Sequence, residues 1–86
     1  MMDRERVLRK AIDTYGEESQ AKMMIEEMSE LTKALCKWFR GETEKSHILE
    51  EMADVQIMLD QMRMIFGDTS ELEKAKVERL KGRLKA

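Results

Sequence analysis

The chain has no proline, no asparagine, one cysteine, four glycines and four aromatic residues among 86. Without proline, and with glycine confined to Gly16, Gly41, Gly67 and Gly82, little in it interrupts a helix. Aromatic and β-branched residues are too sparse to build a sheet. A lone cysteine, Cys36, excludes a disulfide framework and points to a reducing, cytoplasmic setting. No apolar run approaches the ~18 residues of a membrane span, so no membrane partner is expected. The opening MMDRERV has no apolar stretch suited to a signal peptide. Met, Leu, Glu, Lys and Arg dominate, all good helix formers. These features predict a single all-α domain over residues 1–86. A chain this short buries a marginal core on its own. The expected architecture is therefore a small antiparallel helical bundle completed by oligomerisation.

The formal net charge of -2 conceals an uneven distribution. Six of the eighteen acids fall in two knots, Glu26, Glu27 and Glu30, then Glu50, Glu51 and Asp54. The other twelve acids face sixteen Lys and Arg, so the body is mildly basic. A basic body with two acidic knots suits a metal site that handles an anionic ligand. It is not a nucleic-acid-binding profile. The basic tail of Lys74, Lys76, Arg79, Lys81, Arg83 and Lys85 is interleaved with Glu71, Glu73 and Glu78, as on an ordinary exposed helix.

Hydrophobic spacing places four helices. The first covers Asp3 to Thr14, with Val7, Leu8, Ala11 and Ile12 on a narrow apolar face. The second starts at a Ser19 cap and runs to Arg40 before the stop at Gly41. Its main stripe is Met24, Met28, Leu31, Leu35 and Trp38, widened by Ile25 and Phe39. The third runs from Thr43 or Ser46 to Phe66 with two apolar strips: Ile48, Met52, Val55, Leu59, Met62 and Phe66 on one, Leu49, Ala53, Ile57 and Met64 on the other. Two strips need two neighbours, and in so short a chain one of them belongs to another subunit. Gly67 to Ser70 is a turn, and a fourth helix with a thin stripe of Leu72, Val77, Leu80 and Leu84 runs to Lys85.

The second and third helices echo each other at an offset of 24 residues. Glu26 matches Glu50, Glu27 matches Glu51, and Glu30 matches Asp54, in step with the apolar positions. Residues three apart lie about 60° apart around a helix. Glu27 and Glu30 can therefore serve one centre, as can Glu51 and Asp54. The short Gly41–Lys45 connection demands an antiparallel hairpin, which turns the two pairs toward each other. Four converging carboxylates repel unless a cation joins them, and an oxygen-only set suits Mg²⁺, with Mn²⁺ as a substitute. The competing reading is a solvated helix face on which Glu26 and Glu30 pair with Lys22 and Lys33. His47, one turn before Glu51, fits a solvated helix start better than a ligand position.

The segment IEEMSEL, some twenty residues of helix and loop, then LEEMADVQIML resembles the MazG-type nucleoside triphosphate pyrophosphohydrolases. That family carries Glu-x-x-Glu, a spacer and Glu-x-x-Asp on two antiparallel helices, a pattern that falls here on Glu27, Glu30, Glu51 and Asp54. Glu26 matches an additional acid that often precedes the first motif residue. The similarity covers a motif core of about residues 20–66. It implies Mg²⁺-dependent cleavage of (d)NTPs between the α and β phosphates, giving a (d)NMP and pyrophosphate. It also implies a homodimer or homotetramer. On that reading Glu27, Glu30, Glu51 and Asp54 are metal ligands, and one of Glu26, Glu27 and Glu51 orients or deprotonates the attacking water. Lys33 and Lys37 are the nearest cationic candidates for substrate phosphates on the second helix. Trp38 is a candidate for base stacking, although core or interface use suits it better, and Gln61 is a further candidate substrate contact. The rival function is a non-enzymatic helical oligomerisation or adaptor module whose metal site is vestigial or structural. Hydrolysis of another phosphoanhydride, such as a dinucleoside polyphosphate, is a third.

Overall fold

A computed structural model describes residues Asp3 to Lys85. The described residues are all-α, with helices α1 (Arg4–Tyr15), α2 (Glu17–Phe39), α3 (Lys45–Phe66) and α4 (Ser70–Lys85). Among the described residues no helix is long and apolar enough to cross a membrane.

The boundaries follow local chemistry. Asp3 caps α1, its carboxylate accepting the Arg6 N–H at 2.9 Å. Gly16 stops α1 at φ 93° and at once begins α2, so α2 starts two residues before the expected Ser19 cap. A positive φ there is open to glycine at little cost. Arg40 and Gly41 close α2, and α3 begins at Lys45, between the two starts the sequence suggested. Gly67, at φ 130°, ends α3.

α2 and α3 form the antiparallel hairpin, and α1 lies against both. Its buried Leu8 and Ile12 give α1 a larger share of the core than its narrow apolar face suggested. The register of the hairpin is marked by Gln20, whose amide donates to the Gln61 carbonyl at 2.6 Å. Along α2 the shielded positions include Gln20, Met24, Glu27, Leu31 and Ala34; along α3 they include Ile48, Glu51, Val55, Met58, Met62 and Ile65. Steps of three and four make each set one helical stripe.

That seam differs from the expected α2 stripe. Met24 and Leu31 are in it, but Met28, Leu35 and Trp38 are exposed, as are Ile25 at 69% and Phe39 at 84%. Glu27 and Ala34 take the inward places. The displaced apolar residues form a second face of α2, so α2 as well as α3 has two apolar sides.

α4 packs against no other helix among the described residues. A polar strut joins it to the hairpin instead. Arg63 on α3 donates from Nε to the Thr69 hydroxyl at 2.9 Å and lies 3.8 Å from the Glu73 carboxylate. Its other end pairs at 2.9 Å with Asp60, which in turn holds Arg4 of α1 at 2.8 Å.

Candidate metal centre

Gln20 and Gln61 face each other across the hairpin. Seven residues further along α2 and seven back along α3, the same register sets Glu27 opposite Asp54. Glu51, one turn before Asp54, completes the group. One carboxylate oxygen from each of Glu27, Glu51 and Asp54 lies within 4.8 Å of the others. Opposite oxygens around one hard cation, bound at about 2.1 to 2.4 Å, stand roughly 4 to 5 Å apart. The cluster therefore has the span and the donor type for a single Mg²⁺-like or Ca²⁺-like ion.

Glu27 and Glu51 are partly shielded within the seam, whereas Asp54 opens to solvent. This gives the centre a protein side and an open side, where water or a ligand can complete a coordination shell. Loss of water around Glu27 pushes its carboxyl above the usual carboxylate range. The negative charges of Asp54, Glu51, Glu26 and Glu30 push in the same direction. A positive charge placed among these carboxylates would relieve that repulsion.

The four motif acids are not equivalent. The seam passes through Glu27 on α2 but between Glu51 and Asp54 on α3, so the partly shielded Glu51 and the exposed Asp54 flank it. Glu30, about 60° further round α2 from Glu27, is exposed. It lies outside the tight triad, close enough to act on Glu27 through its charge. Glu26 is exposed on the same side of the hairpin and contributes in the same way. The competing ion-pair reading is not realised at Lys22, which pairs with Glu18 at 3.4 Å. His47 Nδ1 stands 4.0 Å from Glu51 Oε1, at the edge of an ion pair and only when protonated.

The expected substrate contacts are dispersed. Lys33 and Lys37 continue the α2 face that carries Glu26 and Glu30, in steps of three and four. They lie roughly 9 and 15 Å further along the helix axis than Glu27. Trp38 is half-exposed beyond Ala34, toward the hairpin loop. Gln61 is 3% exposed, and its amide is engaged with Gln20 and the Met58 sulfur. It is an internal tie of the hairpin. Its partner Gln20 was not singled out from the sequence, although its seven-residue spacing from Glu27 was a usable signal.

Comparison with protein-family models, with curated proteins and with solved structures found no match to this chain.

Proposed function

We propose that Glu27, Glu51 and Asp54 bind a divalent cation within a helical module that associates with further copies of itself, as a homodimer or homotetramer. The observation that carries this reading is the convergence of three carboxylate oxygens within 4.8 Å at the seam of a hairpin. An apolar residue at those seam positions would pack without charge repulsion. A cation converts the repulsion into a cross-link between α2 and α3. The exposed apolar faces of α2 and α3 supply the surface for association.

The motif residues favour a second, more specific reading, in which the module is a Mg²⁺-dependent nucleoside triphosphate pyrophosphohydrolase of the cytoplasm. Mg²⁺, or Mn²⁺ in its place, would supply charge neutralisation for the phosphates and a more acidic water. Glu27, Glu51 and Asp54 would hold the cation, with Glu30 joining through a rotamer change. Glu26, exposed beside the centre and outside the triad, is then free to orient the attacking water. Lys33 and Lys37 extend along the same face as a cationic track for phosphate oxygens.

Calorimetric titration of the purified protein with Mg²⁺ and Mn²⁺, beside Glu51→Gln, tests the cation centre. Binding that is lost in the variant supports it, and equal heats in both proteins overturn it. Incubation with a panel of NTPs and dNTPs tests the chemistry. A monophosphate and pyrophosphate, lost with Glu51→Gln, support the hydrolase reading. A diphosphate and orthophosphate place the cut at the wrong bond. Cation binding without turnover leaves the association module.

A further inference from the structure

α4 is a well-formed helix that packs against no other helix among the described residues. Val77, Leu80 and Leu84 make one exposed stripe, with Lys81 and Lys85 along one edge. Arg79 and Arg83 run along the other edge, one helical turn apart. From Glu78 to Lys85 the helix carries four cations against one acid. In the conformation held by Arg63 it reaches no helix of its own chain.

An open apolar groove lies between α1 and α3. Val7, Leu8, Ala53 and Ile57 line it, Arg4 and Gln56 stand at its rim, and its volume is about 500 Å³. Ala53 immediately precedes Asp54, and Ile57 follows it by one turn, so the groove opens beside the carboxylates. Glu50 precedes Ala53 by three positions on the same face of α3, which places an acid next to the groove. The one rim cation, Arg4, is already neutralised by Asp60. A basic helix with an apolar stripe therefore meets its complement here, leucines over Val7 and Ile57, arginines toward Glu50 and Asp54.

We infer that α4 of a second copy of this chain docks in the groove between α1 and α3, and that the exchange is reciprocal. Both surfaces belong to the same molecule, and exchange across a two-fold axis covers both at once. This deepens the association reading above by naming the surface. It also brings Arg79 and Arg83 of one copy beside the carboxylates of the other, where a polyanionic ligand would meet them.

The test is a directed cross-link in a Cys36→Ser background, which removes the only thiol. One chain carries Arg79→Cys and a second carries Gln56→Cys, and the two are mixed and treated with a short bismaleimide. The expected result is a mixed dimer, reduced at least tenfold when Leu80→Glu and Leu84→Glu are added to the first chain. Both leucines are exposed, and circular dichroism of that variant checks that α1 to α3 remain folded. No mixed dimer, or one indifferent to the two glutamates, overturns the docking. Cation binding, measured on the same proteins, reports on the metal centre separately. A cross-link without cation binding keeps the docking and removes the metal reading, and the reverse result removes the docking alone.

Discussion

Glu27 occupies a place in the α2 seam where an apolar side chain would ordinarily close the hairpin. Its raised pKa means that the folded protein disfavours the charged form. The sign follows from linkage. Below the ordinary value of 4.5 the carboxyl is protonated in both folded and unfolded chains, and no penalty exists. As pH rises through the folded-state value, the folded chain must ionise against its neighbours and loses stability. Glu27→Gln is therefore expected to raise the melting temperature of the metal-free protein at pH 7, with the gain vanishing below about pH 4. Divalent cation reverses the ranking. At ten times its Kd a bound ion stabilises wild type by about 1.4 kcal/mol. That is on the order of 5–10 °C for a domain of this size. The variant should gain far less. Thermal unfolding at both pH values, with and without Mg²⁺, reads all four states. A melting point of Glu27→Gln below wild type at pH 7 without metal would contradict this account.

At the element scale, the hairpin register depends on a buried polar pair. Removing one member strands the other, so Gln61→Ala should cost about 1–3 kcal/mol beyond lost packing. Replacing both Gln20 and Gln61 by leucine should cost much less, because no polar atom remains unpaired. Denaturant unfolding of the single and double variants separates the two cases. α4 has a weakness of its own at Gly82, a helical position where an added Cβ meets nothing within 4 Å. Gly82→Ala should therefore strengthen this helix by about 0.5–1 kcal/mol, visible as slower amide exchange over residues 78–85. Arg63→Ala acts on direction, not on helix content. It removes the strut to Thr69 and Glu73. Arg63 is half-buried and also pairs with Asp60, so global stability should fall by about 1–2 kcal/mol. Spin-label distances between α2 and α4 should broaden.

These elements also show what could be read from the chain in advance. The four helices were legible because glycine and short polar turns separate strongly periodic segments. The antiparallel hairpin was legible because its loop is short. Glu27, Glu51 and Asp54 were legible as a group because their spacing follows the helical turn. The α2 seam was not. Hydrophobic periodicity selected Met28 and Leu35, whereas Gln20, Glu27 and Ala34 take the inward positions with Met24 and Leu31. Gln20 is accommodated by its hydrogen bond to Gln61, and Glu27 stays partly shielded beside Glu51 and Asp54, neither of which periodicity can detect. The offset of 24 residues sets an acid against an acid at Glu30 and Asp54, which makes the two positions look equivalent in sequence. The helices do not present their two halves to the seam at the same angle, and that angle depends on packing.

At the scale of the whole molecule, the unresolved burden is apolar surface. Met28 and Met52 stand level in the register marked by Gln20 and Gln61. Residues two apart on a helix lie about 160° apart around it. Each of these methionines precedes an acid by two positions, Glu30 and Asp54 respectively, so they occupy the opposite side of the hairpin from the carboxylates. Leu35 and Phe39 extend this apolar side along α2, and all four residues are exposed in the single chain. Exposed apolar side chains grouped on one side of a hairpin offer a surface for a further contact. It is also separate from the groove that receives α4, so two independent contacts can build a dimer of dimers. Substituting Met28 and Phe39 by glutamate should abolish the larger species in sedimentation while leaving the α4-mediated dimer intact. With Leu80→Glu and Leu84→Glu added, the chain should sediment as a monomer. Association also makes stability concentration-dependent. The wild-type melting temperature should rise with protein concentration, and that of the fourfold variant should not. A wild-type melting temperature independent of concentration, together with monomeric sedimentation, would mean that these faces remain open to water.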